Sequence, residues 1–429
     1  MAIRLPHWFF LCALLLPLAN CTCADEDDYI WTFYEPFEEE DVYVGVDTPA
    51  PMWPDIVEED VDRPLEDILQ TPDAEEEEIL DPREWEEGEW TTETIDEEFA
   101  FSHALNERTS LVVDSRGTLW LGYHACDDRQ CSSPRLVVGR KPIDGEWTYE
   151  TIQNHRGLFG LQVIRSEEPI AVYVDDRDQS FKVAMRKGPN HWEIQRIDVG
   201  RAGLYDGFDV TNDRTRFYLS FASSESTSVD FFVYNVAANQ PYWRRLPSLP
   251  QAYSAAMERG LGADNSFSLY LVHRQSRFGS YGVAHYNLGQ QRWDERVYFD
   301  HSDTVSSFVV RRNDQLCLSH ERGGNLAVSC GNMDDLSRET TLFREPISGY
   351  SSMIEGRDGS LFVAFHGREN TSMRVARGDA RRGWAVETAF QGSSYGISTA
   401  INHHDQLAMA FYTCPGSLCS LRVLQKTYD

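Results

Sequence analysis

Apolar and polar positions alternate in short blocks along most of this 429-residue chain. After Asn106 the blocks recur as a unit of roughly 40 to 50 residues, seven times over, a period typical of stacked supersecondary units. The clearest line is a short apolar stretch with an aromatic or histidine end: Leu119 to Tyr123, Ile170 to Tyr173, Phe217 to Phe221, Leu269 to His273, Leu316 to His320, Leu361 to Phe365 and Leu407 to Phe411. Runs this short, bounded by turn residues, predict β-strands. Polar turns precede most of them, as in Asp114 to Gly117, Asp358 with Gly359, and His404 with Asp405, so a hairpin joins a first strand to this second one.

The first strand of each unit is expected to begin with a small residue: Ser110, Gly160, Gly207, Ser254, Ser306, Ser351 and Gly396. A fourth strand carries an aromatic or basic signature in six units: Trp147 to Ile152, Trp192 to Ile197, Trp243 to Leu246, Trp293 to Tyr298, Arg338 to Leu342 and Trp384 to Ala389. The last unit ends without one, but Trp90 to Ile95 (WTTETI) lies ahead of the first unit and nearly duplicates Trp147 to Ile152 (WTYETI). A strand displaced to the N-terminus suits a closed ring, which leaves no exposed edge, and has no place in a sandwich or an open stack. The sequence therefore predicts an all-β fold over residues 85–429: a seven-bladed β-propeller of four-stranded antiparallel blades, its last blade completed by strand 90–95. Small first-strand residues fit the crowded centre of such a ring.

The formal net charge of -30 is concentrated in one segment. Between Asp25 and Glu98 there are 31 acidic residues against Arg63 and Arg83, and the remainder is nearly neutral. Residues 21–84 combine acidic runs with scattered prolines and no sustained apolar period, the composition of a disordered, extended tether. Tyr29, Trp31, Phe33, Tyr34, Phe37 and Tyr43 interleave with the acids, so a docking motif there stands beside the plain-spacer reading. Residues 1–20, with Arg4 and the apolar run Trp8 to Leu18, read as a signal peptide; the run is too short to span a bilayer. Leu18, Ala19, Asn20 and Cys21 resemble a bacterial lipobox, which would make Cys21 the lipidated N-terminus; Asn20 departs from that pattern. The chain is thus expected to be exported and lipid-anchored at the bacterial outer membrane or cell surface, or else secreted, touching membrane through the anchor only.

Six of the nine cysteines fall into local pairs, Cys126 with Cys131, Cys317 with Cys330, and Cys414 with Cys419, which predict disulfides in an oxidising compartment. None has C-x-x-C spacing, which argues against a zinc site.

Residues 90–429 resemble bacterial propellers of the sialidase-like and lectin-like repeat type: apolar strand, Asp/Gly turn, apolar strand ending in Tyr or His, variable loop, then Trp near the last strand. The sialidase turn motif is not matched; Ile143 to Trp147 comes closest and lacks its spacing. The resemblance implies architecture, and a ligand face at the loops joining second to third strands. The candidate rim there comprises His124 and Asp127; Asp175, Asp176 and Arg177; His273 and Arg274; His320, Glu321 and Arg322; and His366 and Arg368. Mixed charge beside aromatics suits a glycan or a protein loop. Nucleic acid is not an expected partner. No G-x-S-x-G, H-E-x-x-H or Walker motif occurs, so no catalytic residue is assigned and no cofactor is implied. Asp175 to Asp178 could hold calcium but lacks the Gly and distal Glu of the common loop. Two functions remain: a non-catalytic recognition or scaffold protein, or a glycan-active hydrolase or lyase with paired acids at the channel mouth. Unlike loops from unit to unit favour one asymmetric surface and a protein partner.

Overall fold

The computed structural model describes residues 88–99, 109–126, 133–154, 159–163, 168–175, 180–197, 207–212, 216–222, 228–235, 243–250, 252, 261–263, 269–274, 280–287, 290–299, 304–336, 339–367, 371–379, 383–402, 404–414 and 419–427. Residues 1–20 and 21–84, expected as signal peptide and tether, lie outside them, Cys21 included. Among the described residues every regular element is a strand.

The first strand, β1 (Glu89–Phe99), precedes the repeats. β2 (Ser110–Val113), β3 (Leu119–Ala125), β4 (Arg135–Lys141) and β5 (Thr148–Asn154) form a sheet in that order. β6 (Phe159–Val163), β7 (Pro169–Asp175), β8 (Ser180–Gly188) and β9 (His191–Ile197) form the next. β10 (Gly207–Asn212), β11 (Arg216–Ala222), β12 (Ser228–Asn235) and β13 (Trp243–Pro250) follow, then β14 (Leu261–Ala263), β15 (Leu269–Arg274), β16 (Tyr281–Asn287) and β17 (Arg292–Phe299). β18 (Thr304–Val310), β19 (Leu316–Arg322), β20 (Asn325–Gly331), β21 (Glu339–Glu355), β22 (Leu361–Gly367), β23 (Ser372–Asp379) and β24 (Gly383–Gln391) make one seven-stranded sheet. Here β21 serves two units, pairing with β20 through its first part and with β22 through its second. The last sheet has the order β1, β27 (Cys419–Thr427), β26 (Leu407–Thr413), β25 (Tyr395–Ile401). All pairings are antiparallel, and Trp90 lies opposite Lys426 across β1 and β27.

Two strand assignments need correction. In the fourth unit the strand that pairs with β15 is β14, with Leu261 opposite Leu271, so it starts after the expected Ser254, which lies outside the described residues. In the fifth unit the fourth strand continues without a break into the first strand of the sixth. The two were expected as separate strands, Arg338 to Leu342 and one beginning at Ser351; between them Ile347 N–H finds a backbone partner, Gly324 O at 3.2 Å.

Second strands β3, β7, β22 and β26 are buried along their whole length rather than on alternate residues. Such strands lie between two covering layers. Among the described residues the apolar side chains form seven clusters, and each joins neighbouring units: first with second, second with third, and so on, with Leu121 and Tyr123 of the first unit meeting Tyr412 and Leu421 of the last. First strands follow the same cycle. β2 touches β6, β6 touches β10, then β14, β18, β21 and β25 follow, and β25 returns to β2.

The small residues on first strands do more than save space. Ser306 and Ser351 share a hydrogen bond of 2.5 Å, Ser352 and Thr399 one of 2.8 Å, and Thr109 and Ser398 one of 2.6 Å. Leu161 N–H donates to Ser110 Oγ at 3.0 Å. Short hydroxyls let consecutive first strands come close while satisfying one another's buried polar groups.

The repeated Trp-x-x-Glu of the fourth strand has a geometric reason. Residues three apart on a strand point to opposite faces. Each such strand therefore offers its Trp to the sheet before it and its Glu to the sheet after it. Trp90 Nε1 donates to Glu387 Oε1 of β24 at 3.0 Å, Trp147 Nε1 to Glu93 Oε2 of β1 at 2.7 Å, and Trp192 Nε1 to Glu150 Oε2 of β5 at 2.9 Å. A cation beside each Trp completes the clasp: Lys426 on Glu387, Lys141 on Glu93 and Arg186 on Glu150.

Candidate functional site

An antiparallel meander puts its first-to-second and third-to-fourth connections at one end and its second-to-third connections at the other. The two ends are built differently.

At the first end, four hairpins share one design. In residues 114–118, 311–315, 356–360 and 402–406 the first residue's N–H bonds to the fifth residue's carbonyl, and the fourth residue's N–H bonds back to the first residue's carbonyl. The fourth residue takes a left-handed conformation: Gly117 at φ 80, Asp314 at 60, Gly359 at 77 and Asp405 at 57. This is a type I turn followed by a bulge residue that needs positive φ, which Gly, Asp and Asn tolerate best. Acidic and amide side chains hold the turns from within. Asp114 Oδ1 accepts the N–H groups of Arg116 and Thr118, and its Oδ2 accepts the indole N–H of Trp120 at 3.1 Å. Asn402 Oδ1 accepts from His404 and Gln406.

These turns also brace one another. Arg311 Nε donates to Glu355 Oε1 at 3.0 Å and another of its guanidinium nitrogens donates to Gly359 O, while Glu355 Oε2 accepts Arg312 N–H at 2.9 Å. Arg312 Nη1 reaches Arg357 O at 3.3 Å, and Arg357 N–H donates to Asp405 Oδ1 at 2.7 Å. Burial pushes the Asp358 carboxyl up, but hydrogen bonds from Ser360 and the charge of Arg377 outweigh it and hold it below the ordinary value. An open polar pocket of about 240 Å³ lies between Asn313 to Gln315 and Cys330 to Asp335.

At the other end the connections differ in length and composition, and most fall outside the described residues. Asp127, Asp176, Arg177, Arg368 and Cys131 lie there, as does the side chain of Arg274. Five of the predicted rim residues are interior. His124 is 1 % exposed and meets Phe159 of the next sheet edge-on, with ring centroids 5.0 Å apart. His273 Nε2 lies 3.1 Å from Glu295 Oε1, and His320 Nε2 shares a hydrogen bond of 2.9 Å with Ser329, which in turn meets Thr340. His366 Nδ1 pairs with Ser394 Oγ at 2.7 Å, and burial pushes its imidazole down to about 4, so it is neutral at pH 7. Asp175 is buried in an ion pair with Lys182. These side chains are inward because neighbouring sheets cover the second strands on both faces. Glu321 and Arg322 do stand at the edge, flanking a two-residue hairpin in which Gly323 and Gly324 take φ 59 and 79. That is the type I′ geometry, and Arg322 pairs with Asn325 across it.

Cys317 is bonded to Cys330 and Cys414 to Cys419, and Cys126 is also disulfide-bonded. Among the described residues no three His, Cys, Asp or Glu side chains gather as a metal site. A glycosidase acid needs a carboxyl held high. Glu150 goes the other way: burial raises it, but hydrogen bonds from Arg186, the Asn190 backbone and Trp192, with the charge of Arg186, bring it below the ordinary value. Sequence reasoning missed Arg357 and the Glu355 brace; the signal was a basic residue recurring in equivalent turns.

No family model matches the chain. No curated protein matches it either. Solved structures do. The polysaccharide lyase Uly1 aligns over 77 % of this chain and 92 % of its own at 11 % identity, with a TM-score of 0.51. Hydrazine synthase of Kuenenia stuttgartiensis aligns over 77 % and 98 % at 11 % identity, also at 0.51. The Dos1 propeller aligns over 78 % and 95 % at 7 % identity, at 0.48. Identities this low speak to the fold alone. With its run of four-stranded antiparallel sheets, the chain is an all-β protein of propeller architecture.

Proposed function

We propose that this chain is an exported, non-catalytic recognition or scaffold protein, anchored through Cys21, whose ring of seven blades is closed by β1 and holds a partner on the face of the second-to-third strand connections. Closure is supported by the cyclic neighbours among first strands and by the clasps on both sides of β1. One observation carries the choice of face. The four first-to-second turns described above are short and alike, and three of them brace one another, whereas the connections at the opposite end differ from blade to blade. Unlike loops on a rigid scaffold give one asymmetric surface, which suits a protein partner better than a repeating glycan.

The test is a pull-down and glycan-array screen with the full mature chain and with the Arg274→Ala, Glu321→Ala and Arg322→Ala variants. Removing a charge that hydrogen-bonds the partner should weaken binding about tenfold or more. Unchanged binding by all three variants would sink the assignment of the face. Conversion of a polysaccharide by the wild-type chain would replace this reading with the glycan-active one.

A further inference from the structure

The opposite face carries a second feature. The second and third residues form the tip of each five-residue turn, and Arg116, Arg312, Arg357 and His404 occupy tip positions in four turns. All four are exposed. The turns belong to the fifth, sixth, seventh and first units, whose first strands are consecutive neighbours, so the basic tips follow one another along an arc. Acids of the same turns face back into the backbone. Asp114, Glu355, Asp358 and Asp405 each accept at least one N–H from a turn, and Glu355 and Asp358 also bind Arg311 and Arg377. Asp314 is the exposed acid among them.

The pocket of about 240 Å³ opens beside this arc, since Asn313, next to Arg312, lines it with Asp314, Gln315, Asn332 and Asp335. Amides and carboxylates in a cavity on the scale of one sugar ring match the donor and acceptor pattern of hydroxyls. Guanidinium groups match carboxylate or sulfate in a two-pronged way. No apolar side chain stands at these tips to anchor a peptide, and interfaces with protein draw most of their energy from such anchors.

We propose that this face binds an anionic polysaccharide, with Arg312 and Arg357 holding its uronate carboxylates or sulfates and the adjacent pocket seating a sugar ring. This site is separate from the partner face proposed above and does not depend on it. Polygalacturonate, a sulfated galactan, neutral dextran and polyglutamate are titrated by calorimetry into the full chain. The buffer contains moderate salt, because the acidic segment 25–98 repels polyanions when screening is weak. Polygalacturonate or the sulfated galactan should bind, which tells the two anion sources apart, and dextran should not. The Arg312→Ala/Arg357→Ala variant should lose at least tenfold in affinity while keeping a cooperative melt only a few degrees lower, through loss of the Arg312 brace to Arg357 O, and Arg357→Ala alone should show part of the affinity loss with its melting temperature unchanged. Arg322→Ala, at the other end, should bind as wild type. The proposal is overturned if no polymer binds, if polyglutamate binds as tightly as the polysaccharides, or if Arg357→Ala and the double variant bind as wild type.

Discussion

His366 shows how one residue changes meaning between sequence and structure. Beside Arg368 and Glu369 in the chain it reads as a rim residue, but it is buried against Ser394. Burial lowers its pKa from 6.5 to about 4. Between those values the unfolded chain binds a proton that the native one refuses, so stability rises with pH across that window. His366 thus leaves stability intact above about pH 6.5 and removes about 3 kcal/mol as the pH falls to 4. Urea denaturation at a series of pH values, for wild type and His366→Gln, checks this. Identical pH slopes for the two would show that another group carries the loss.

At the scale of elements, the fourth-strand clasps share a register but differ in burial, and burial should set their worth. In the β5–β9 clasp, Arg186 and Glu150 have side chains only 6 % and 9 % exposed, and Arg186 also stacks on Trp120 at 5.3 Å. Without the Glu150 charge, buried Arg186 keeps only Glu168, whose side chain is 42 % exposed, so Glu150→Gln should cost about 2 kcal/mol. Glu93 is 36 % exposed, and water screens its pair with Lys141. Glu93→Gln should therefore cost only about 1 kcal/mol. Chemical denaturation of the two variants decides the matter; equal losses would mean that Trp contacts rather than charge hold the clasps.

For the whole molecule, β1 is the strand that matters most for its length. It pairs along β27 from Glu89 opposite Thr427 to Phe99 opposite Cys419, and its Trp90 and Glu93 grip the sheets on either side. A chain beginning after residue 84 should melt in one cooperative transition like the full chain. A chain beginning after residue 99 should lose that transition, because it exposes the edge of β27 and leaves Glu387 without Trp90 and Lys141 without Glu93. Circular dichroism melting curves compare them, and equal midpoints would refute the role given to β1 in closure.

The amino-acid order alone determined most of the strands, the hairpins at Asp114, Asp358 and Asp405, two complete disulfides and the place of Trp90 beside the last unit, because each rests on local chemistry: turn residues, apolar runs and a duplicated WTxETI. Only the tertiary structure decided which polar residues face water. Periodicity marks a strand's two faces but cannot tell that both are covered, so His124, His273, His320 and Asp175 looked available and are interior. Nor can it show that Arg311 spends its guanidinium on the neighbouring turn, or that Arg357 stands exposed beside it, since those partners lie a full repeat away in the chain and meet only when consecutive sheets stack.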